Sequence, residues 1–97
     1  MAQFDVHRLG GGLVLDCQSD LLSHIASRFV VPLVPQPDAP TPVRRLNPAF
    51  EVGGEAYVMV TQSAGAVGRQ QLGPVVASLA DRSFEITDAL DVLLSGV

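Results

Sequence analysis

Phe50-Glu51-Val52-Gly53-Gly54-Glu55-Ala56-Tyr57-Val58-Met59-Val60-Thr61 is the stretch that decides the fold class. Apolar, β-branched and aromatic residues flank a glycine pair on both sides. Glycine accepts the positive φ values that a two-residue hairpin turn demands, so the stretch predicts two antiparallel strands around Gly53-Gly54. A turn centred there sets Phe50 opposite Tyr57, a stabilising cross-strand aromatic pair.

Toward the N-terminus the pattern repeats. Phe4 and Val6 alternate with Asp5 and His7, the signature of a half-buried strand. Gly10-Gly11-Gly12 interrupts it and Leu13-Val14-Leu15 resumes it, which predicts a second hairpin. Gln18-Ser19-Asp20 breaks the pattern, and Leu21, Leu22 and Ile25 fit one short helical turn or an irregular loop. Phe29-Val30-Val31-Pro32-Leu33-Val34 reads as a strand. Pro32 cannot donate a ladder hydrogen bond, which places it at an edge or a bulge. Pro35, Pro37, Pro40 and Pro42 predict an extended polar surface loop, too short to link two domains.

Toward the C-terminus, residues 63–73 are rich in Gly and Gln and leave room for one more short strand. Ile86, Ala89, Leu90 and Leu93 recur at helical spacing and form one apolar stripe. Ser83 fits the N-cap, Glu85 sits where the helix dipole favours an anion, and Gly96 is placed to end the helix. Asp88, Asp91 and Ser95 fall on the opposite face and read as solvated. The chain is therefore expected to be mostly β with one C-terminal helix, folded as a single domain over residues 1–97.

The chain has 97 residues, enough for one core with little room for a second. Its net charge is −4, and all six of its cations are Arg. An acidic surface repels phosphate backbones, so direct nucleic-acid binding is not expected. Acidity does not argue against binding a protein that itself handles DNA. Cys17 is the single cysteine, so no intramolecular disulfide can form, as suits a reducing compartment. The first residues lack a basic segment followed by an apolar run, and no apolar stretch approaches about 20 residues. A cytoplasmic protein without a membrane anchor is expected.

The search for reaction chemistry yields little. Cys17 with His7 or His24 suggests a thiol and a base, but a buried cysteine beside two surface histidines explains them as well. One Cys and two His without paired spacing do not make a zinc site. Gly10-Gly11-Gly12 leads into a strand and not into a helix, unlike a phosphate loop. Asp88 with Asp91, and Arg44 with Arg45, read as surface charges. No catalytic residue, metal or cofactor is expected, and the residues alone point to a small β-rich binding protein.

Several segments together resemble the CcdB family of toxins. Asp16-Cys17-Gln18-Ser19-Asp20-Leu21-Leu22 looks like that family's run of valine, glutamine, serine, aspartate and two aliphatics. Val30-Val31-Pro32-Leu33 is similar to its Val-Ile-Pro-Leu strand. Leu46 and Pro48 with the Gly53-Gly54 hairpin, then Met59 and Thr61, resemble its central hairpin, and Val76-Ala77, Leu79 and the Gly96-Val97 terminus complete the match. The likeness runs from Phe4 to Val97, with a gap only at the proline-rich loop.

That resemblance implies a small SH3-like β-barrel or sandwich with a C-terminal helix, assembled as a homodimer. It implies a toxin that binds the A subunit of DNA gyrase and traps the enzyme on cleaved DNA, neutralised by a CcdA-like antitoxin with a disordered C-terminal segment. Such a toxin needs no catalytic residues, so the chain is expected not to be an enzyme. The family's gyrase contacts fall on Leu21, Leu22, Asp91, Leu94, Ser95, Gly96 and Val97. Its terminal tryptophan is replaced by Ser95, which departs from the pattern. The alternative is a CcdB-fold protein that no longer poisons gyrase and binds another protein or is inert. A small hydrolase or nuclease on the same barrel ranks third, because no acid, base and nucleophile cluster stands out.

Overall fold

The computed structural model describes residues 1–96. Seven strands and one helix account for most of them: β1 (Asp5–Leu9), β2 (Gly12–Asp16), β3 (Ser27–Pro35), β4 (Ala49–Val52), β5 (Glu55–Met59), β6 (Gly65–Gly68), β7 (Val75–Ser78) and α1 (Ser83–Ser95). The strands form one antiparallel sheet in the order β4-β5-β3-β2-β1-β7, with β6 also paired to β3. The expectation of a mostly β fold with one C-terminal helix holds, and the sheet curls as a half-barrel of the CcdB-like kind.

The deciding hairpin forms as its glycines require. Gly53 and Gly54 have φ of 60° and 82°, and Phe50 pairs with Tyr57 across β4 and β5. Two consecutive positive φ values match the right-handed twist of the flanking strands. The first hairpin turns at Gly10-Gly11, with Gly10 at φ 58°. Phe4 precedes the first strand and is itself at φ 71°, a conformation that a side chain beyond Cβ rarely adopts. It is held there from both sides: its N–H donates to the Asp16 carbonyl and its carbonyl accepts from the Leu79 N–H.

Pro32 corrects the expectation of an edge or bulge. It lies inside β3, the strand with most neighbours, opposite Val14 of β2. On its other side β3 changes partner along its length. Residues 27–30 pair with β6, and residues 33–35 pair with β5. Pro32 falls in the gap between those two ladders, where a missing N–H costs no strand pairing, and its carbonyl still accepts from the Val60 N–H at 3.0 Å.

The core is built from Phe4, Val6, Leu13, Leu15, Val31, Leu33, Phe50, Val52 and Met59 of the sheet region, closed by Leu79, Ile86 and Ala89. Ile86 and Ala89 are the buried part of the predicted helical stripe, while Leu90 is half-buried and Leu93 is exposed. Ser83 is the first helical residue and not the N-cap; Arg82 takes that position without a side-chain cap. A 3-10 turn at Ala80–Arg82 leads directly into α1, and Ser78 accepts the Ala80 N–H where that turn begins. The helix therefore has no capping serine, because it continues out of a 3-10 turn that sequence periodicity does not reveal. Gly96 ends the helix at φ 76°, as expected. Among the described residues no helix is long and apolar enough to cross a membrane.

Candidate functional site

The residues proposed from the resemblance occupy two places. Leu21 and Leu22 belong to a 3-10 turn, Asp20–Leu22, in which the Leu21 N–H donates to the Ser19 hydroxyl and the Leu22 N–H to the Ser19 carbonyl. Leu21 is 89% exposed and Leu22 is also exposed. Asp91, Leu94, Ser95 and Gly96 end α1, where Leu94 is 81% exposed. Val97 lies outside the described residues. No hydrogen bond or ion pair among the described residues ties the two places together. Both places carry exposed leucines, Leu21 and Leu22 on the turn and Leu94 on the helix end.

Ser95 does not project as an anchor. Its hydroxyl donates to the Asp91 carbonyl at 2.7 Å, folding the side chain back along its own helix. Serine often bonds the carbonyl four residues earlier in this way. The other carboxylate of that face, Asp88, is not simply solvated as expected. It accepts two hydrogen bonds from Arg45, from Nε at 3.0 Å and Nη2 at 2.6 Å. Each group stabilises the other's charge: the hydrogen bonds with Arg45 hold the Asp88 carboxyl below its ordinary range, and those with Asp88 raise the Arg45 guanidinium. The pair ties the loop before β4 to the helix. Arg82 and Glu85 form a similar exposed pair within one helical turn.

Cys17 is buried, and burial, with the Asp16 charge adding to it, pushes its thiol up to about 12. A thiol so protonated is no nucleophile at neutral pH. Alkylation at pH 8 is expected to leave Cys17 unlabelled in the folded protein and to proceed fully in denaturant, as mass spectrometry would read. Rapid native labelling would contradict its burial. His24 is exposed as expected, but His7 is not a surface histidine. It is 2% exposed, and its Nδ1 lies 3.0 Å from the Gly73 carbonyl. The segment that leads into β7 brings the Gly73 carbonyl to the ring, and β7 itself pairs with β1 through an irregular step between Val6 and His7. No group of three or more potential metal ligands converges among the described residues.

The largest feature missed in sequence is a buried ion pair. Asp16 and Arg28 are both 0% exposed, and the Arg28 Nε and Nη2 donate to one Asp16 oxygen at 3.1 and 2.6 Å. The other Asp16 oxygen accepts the Gln18 N–H. Asp16 faces away from the main core because it alternates with Leu15 and Cys17 along its strand. The available signal was an aspartate ending an apolar run and an arginine opening the next. The Gln18 side chain then bridges its own loop to β3, taking the Phe29 N–H and donating to the Leu22 carbonyl.

A curled antiparallel sheet closed by a terminal helix, with solvent-facing leucines on the helix end and on the turn after β2, defines a small half-barrel. The family model described as "CcdB protein" matches residues 3–96, and the chain belongs to that family. Two solved structures share the fold. One, named endoribonuclease from Mycobacterial species, superposes with a TM-score of 0.80 at 17% identity, covering 97% of this chain and 90% of its own. The other, an endoribonuclease in complex with its cognate antitoxin from Mycobacterial species, gives 0.78 at 18% identity, covering 97% and 94%. These names overturn the expectation that the chain is not an enzyme. That expectation rested on the resemblance to a toxin that needs no catalytic residues, with the search for a triad-like cluster only agreeing with it, and proteins named endoribonucleases share the scaffold. Membership of the CcdB family favours the toxin reading over a protein of that fold that binds another partner or is inert.

Proposed function

We propose that the chain is the toxin of a toxin–antitoxin pair and that it binds the A subunit of DNA gyrase, holding the enzyme on cleaved DNA. The observation that carries the reading is the end of α1. Leu94 is almost fully exposed beside an αL glycine cap, on a helix whose position matches the gyrase-contacting end implied by the family. The proposed contact set is Leu21, Leu22, Asp91, Leu94, Ser95, Gly96 and Val97. A homodimer would present two such helix ends to a two-fold target. Exposed Phe29, Val75 and Val76 supply apolar surface that a second copy could cover. The neutralising partner is a CcdA-like antitoxin, and the setting is the cytoplasm.

Incubation with gyrase, supercoiled plasmid and ATP, followed by protein digestion, is the test. The native protein is expected to yield linear DNA. Ser95→Trp is expected to do so at a concentration lower by about 30- to 1000-fold, the worth of an aromatic interface anchor of about 2–4 kcal/mol. No linear DNA from either protein would reject gyrase as the target. A second reading, cleavage of RNA, is favoured by the two neighbours named endoribonucleases. Incubation of the same protein with single-stranded RNA, with and without the antitoxin, separates the two.

A further inference from the structure

Two guanidinium groups meet in one pocket away from the helix end. The pocket encloses about 290 Å³ and is lined by Met1, Ser23, Arg28 and Arg69. That is roomier than the roughly 30 Å³ share of a single water. Pairing of β3 with β6 brings the two arginines together: Ser27 lies opposite Gly68, so Arg28 and Arg69 flank adjacent ladder positions. Arg69 is fixed at its root, since its N–H donates to the Ala26 carbonyl at 2.8 Å and its Nη2 to the Ile25 carbonyl at 3.0 Å.

Neither arginine is satisfied. Arg28 spends Nε and Nη2 on Asp16, and its buried Nη1 has no hydrogen-bond partner. Arg69 spends Nη2 on Ile25, and its buried Nε has none either. Unpaired buried donors are uncommon, and charged ones are the most costly to leave so. Asp16 faces Arg28 from β2 and pairs with it, whereas Arg69 makes no ion pair among the described residues, so one guanidinium charge lining the pocket has no carboxylate partner. Asp20, in the turn before Ser23, accepts the Gln3 N–H and remains a nearby negative charge. The chain as a whole carries −4, so this pair of arginines is local and not part of a basic face.

We infer that the pocket formed by Arg28, Arg69 and Ser23 binds a phosphate group. A tetrahedral oxyanion offers acceptors in several directions at once, which suits donors arriving from two separate side chains; arginine is the residue best matched to it. The Ser23 hydroxyl on the exposed rim adds a neutral donor. Both orphan nitrogens are buried, and the pocket wall that a ligand would displace to reach them is the Met1 side chain, half-exposed, unbranched and easily moved. Ser23 adjoins the turn that carries Leu21 and Leu22, but the two arginines lie outside the proposed gyrase contacts, and phosphate binding does not depend on those contacts.

The test follows the Arg69 Nε–H resonance in the full-length protein as inorganic phosphate is added at constant ionic strength. A saturable shift is expected, with chloride giving none. Arg69→Ala keeps the backbone bond to Ala26 and is expected to weaken phosphate binding at least about tenfold, read by calorimetry. A parallel titration with a short single-stranded oligonucleotide identifies the source. Tighter binding than phosphate assigns a phosphodiester backbone, and equal or weaker binding assigns the free anion. A shift that fails to saturate, or binding unchanged in Arg69→Ala, would overturn the inference.

Discussion

Arg28→Ala is expected to cost about 3–5 kcal/mol of folding stability, because it strands a fully buried carboxylate. Asp16 has no exposure through which to recover solvation, and the guanidinium supplies two of its hydrogen bonds. For a domain of this size the loss corresponds to a fall in melting temperature of more than about 10 °C. The pair itself need not be stabilising. Removing both charges with size-matched apolar residues, Asp16→Leu with Arg28→Met, is expected to restore most of the loss, since the desolvation of two ions offsets their attraction. Urea unfolding of the two single variants and the double variant gives the coupling between the sites. If Arg28→Ala unfolds within about 1 kcal/mol of the parent, water reaches Asp16 and the pair is not buried in solution.

Phe50→Ala is expected to cost a similar amount, about 3–5 kcal/mol, for a different reason. The ring is 2% exposed at the middle of β4, opposite Tyr57, and the Arg82 guanidinium lies 5.0 Å from its centroid. Truncation empties a space that the sheet on one side and the start of α1 on the other cannot both close. Phe50→Leu keeps most of the volume and is expected to cost less than about 1.5 kcal/mol, a measure of the lost aromatic and cation–π contacts. Denaturant midpoints with unchanged slopes would confirm that both variants act on the folded state. Equal losses in the two would show that ring geometry, and not filled volume, holds this corner.

The parts of the fold that were legible in sequence are those written in local periodicity. Gly53-Gly54 announced its hairpin because only the turn geometry explains two glycines between alternating strands. Ile86 and Ala89 announced the buried side of α1 because three and four residues return to one helix face. What escaped was decided by distant residues. Asp16 and Arg28 stand 12 apart, and Arg45 and Asp88 stand 43 apart. No local pattern marks such pairs, so Asp88 was read as solvated and the buried pair was not read at all. Pro32 was misplaced because the rule about prolines in sheets concerns partners, and the partners of β3 come from segments on either side of it. His7 reads as a surface residue because the segment that meets it, Gly73 and the strand β7 after it, comes 66 residues and more later in the chain. Of the proposed contact residues, Leu94 lies off the predicted apolar stripe of Ile86, Ala89, Leu90 and Leu93, in keeping with its exposure. The inward fold of the Ser95 hydroxyl does not follow from sequence.

The shared use of β3 has a consequence for how errors are rejected as the chain folds. A strand with one neighbour can slip by two residues and keep both its faces correct. β3 answers to β2 along one side and to β5 and β6 in succession along the other. A slip that satisfied one ladder would break the other two, and it would carry Pro32 out of the gap and under a strand that needs its missing N–H. The proline therefore acts as an index mark: it makes the correct alignment the one position at which all three neighbours can agree.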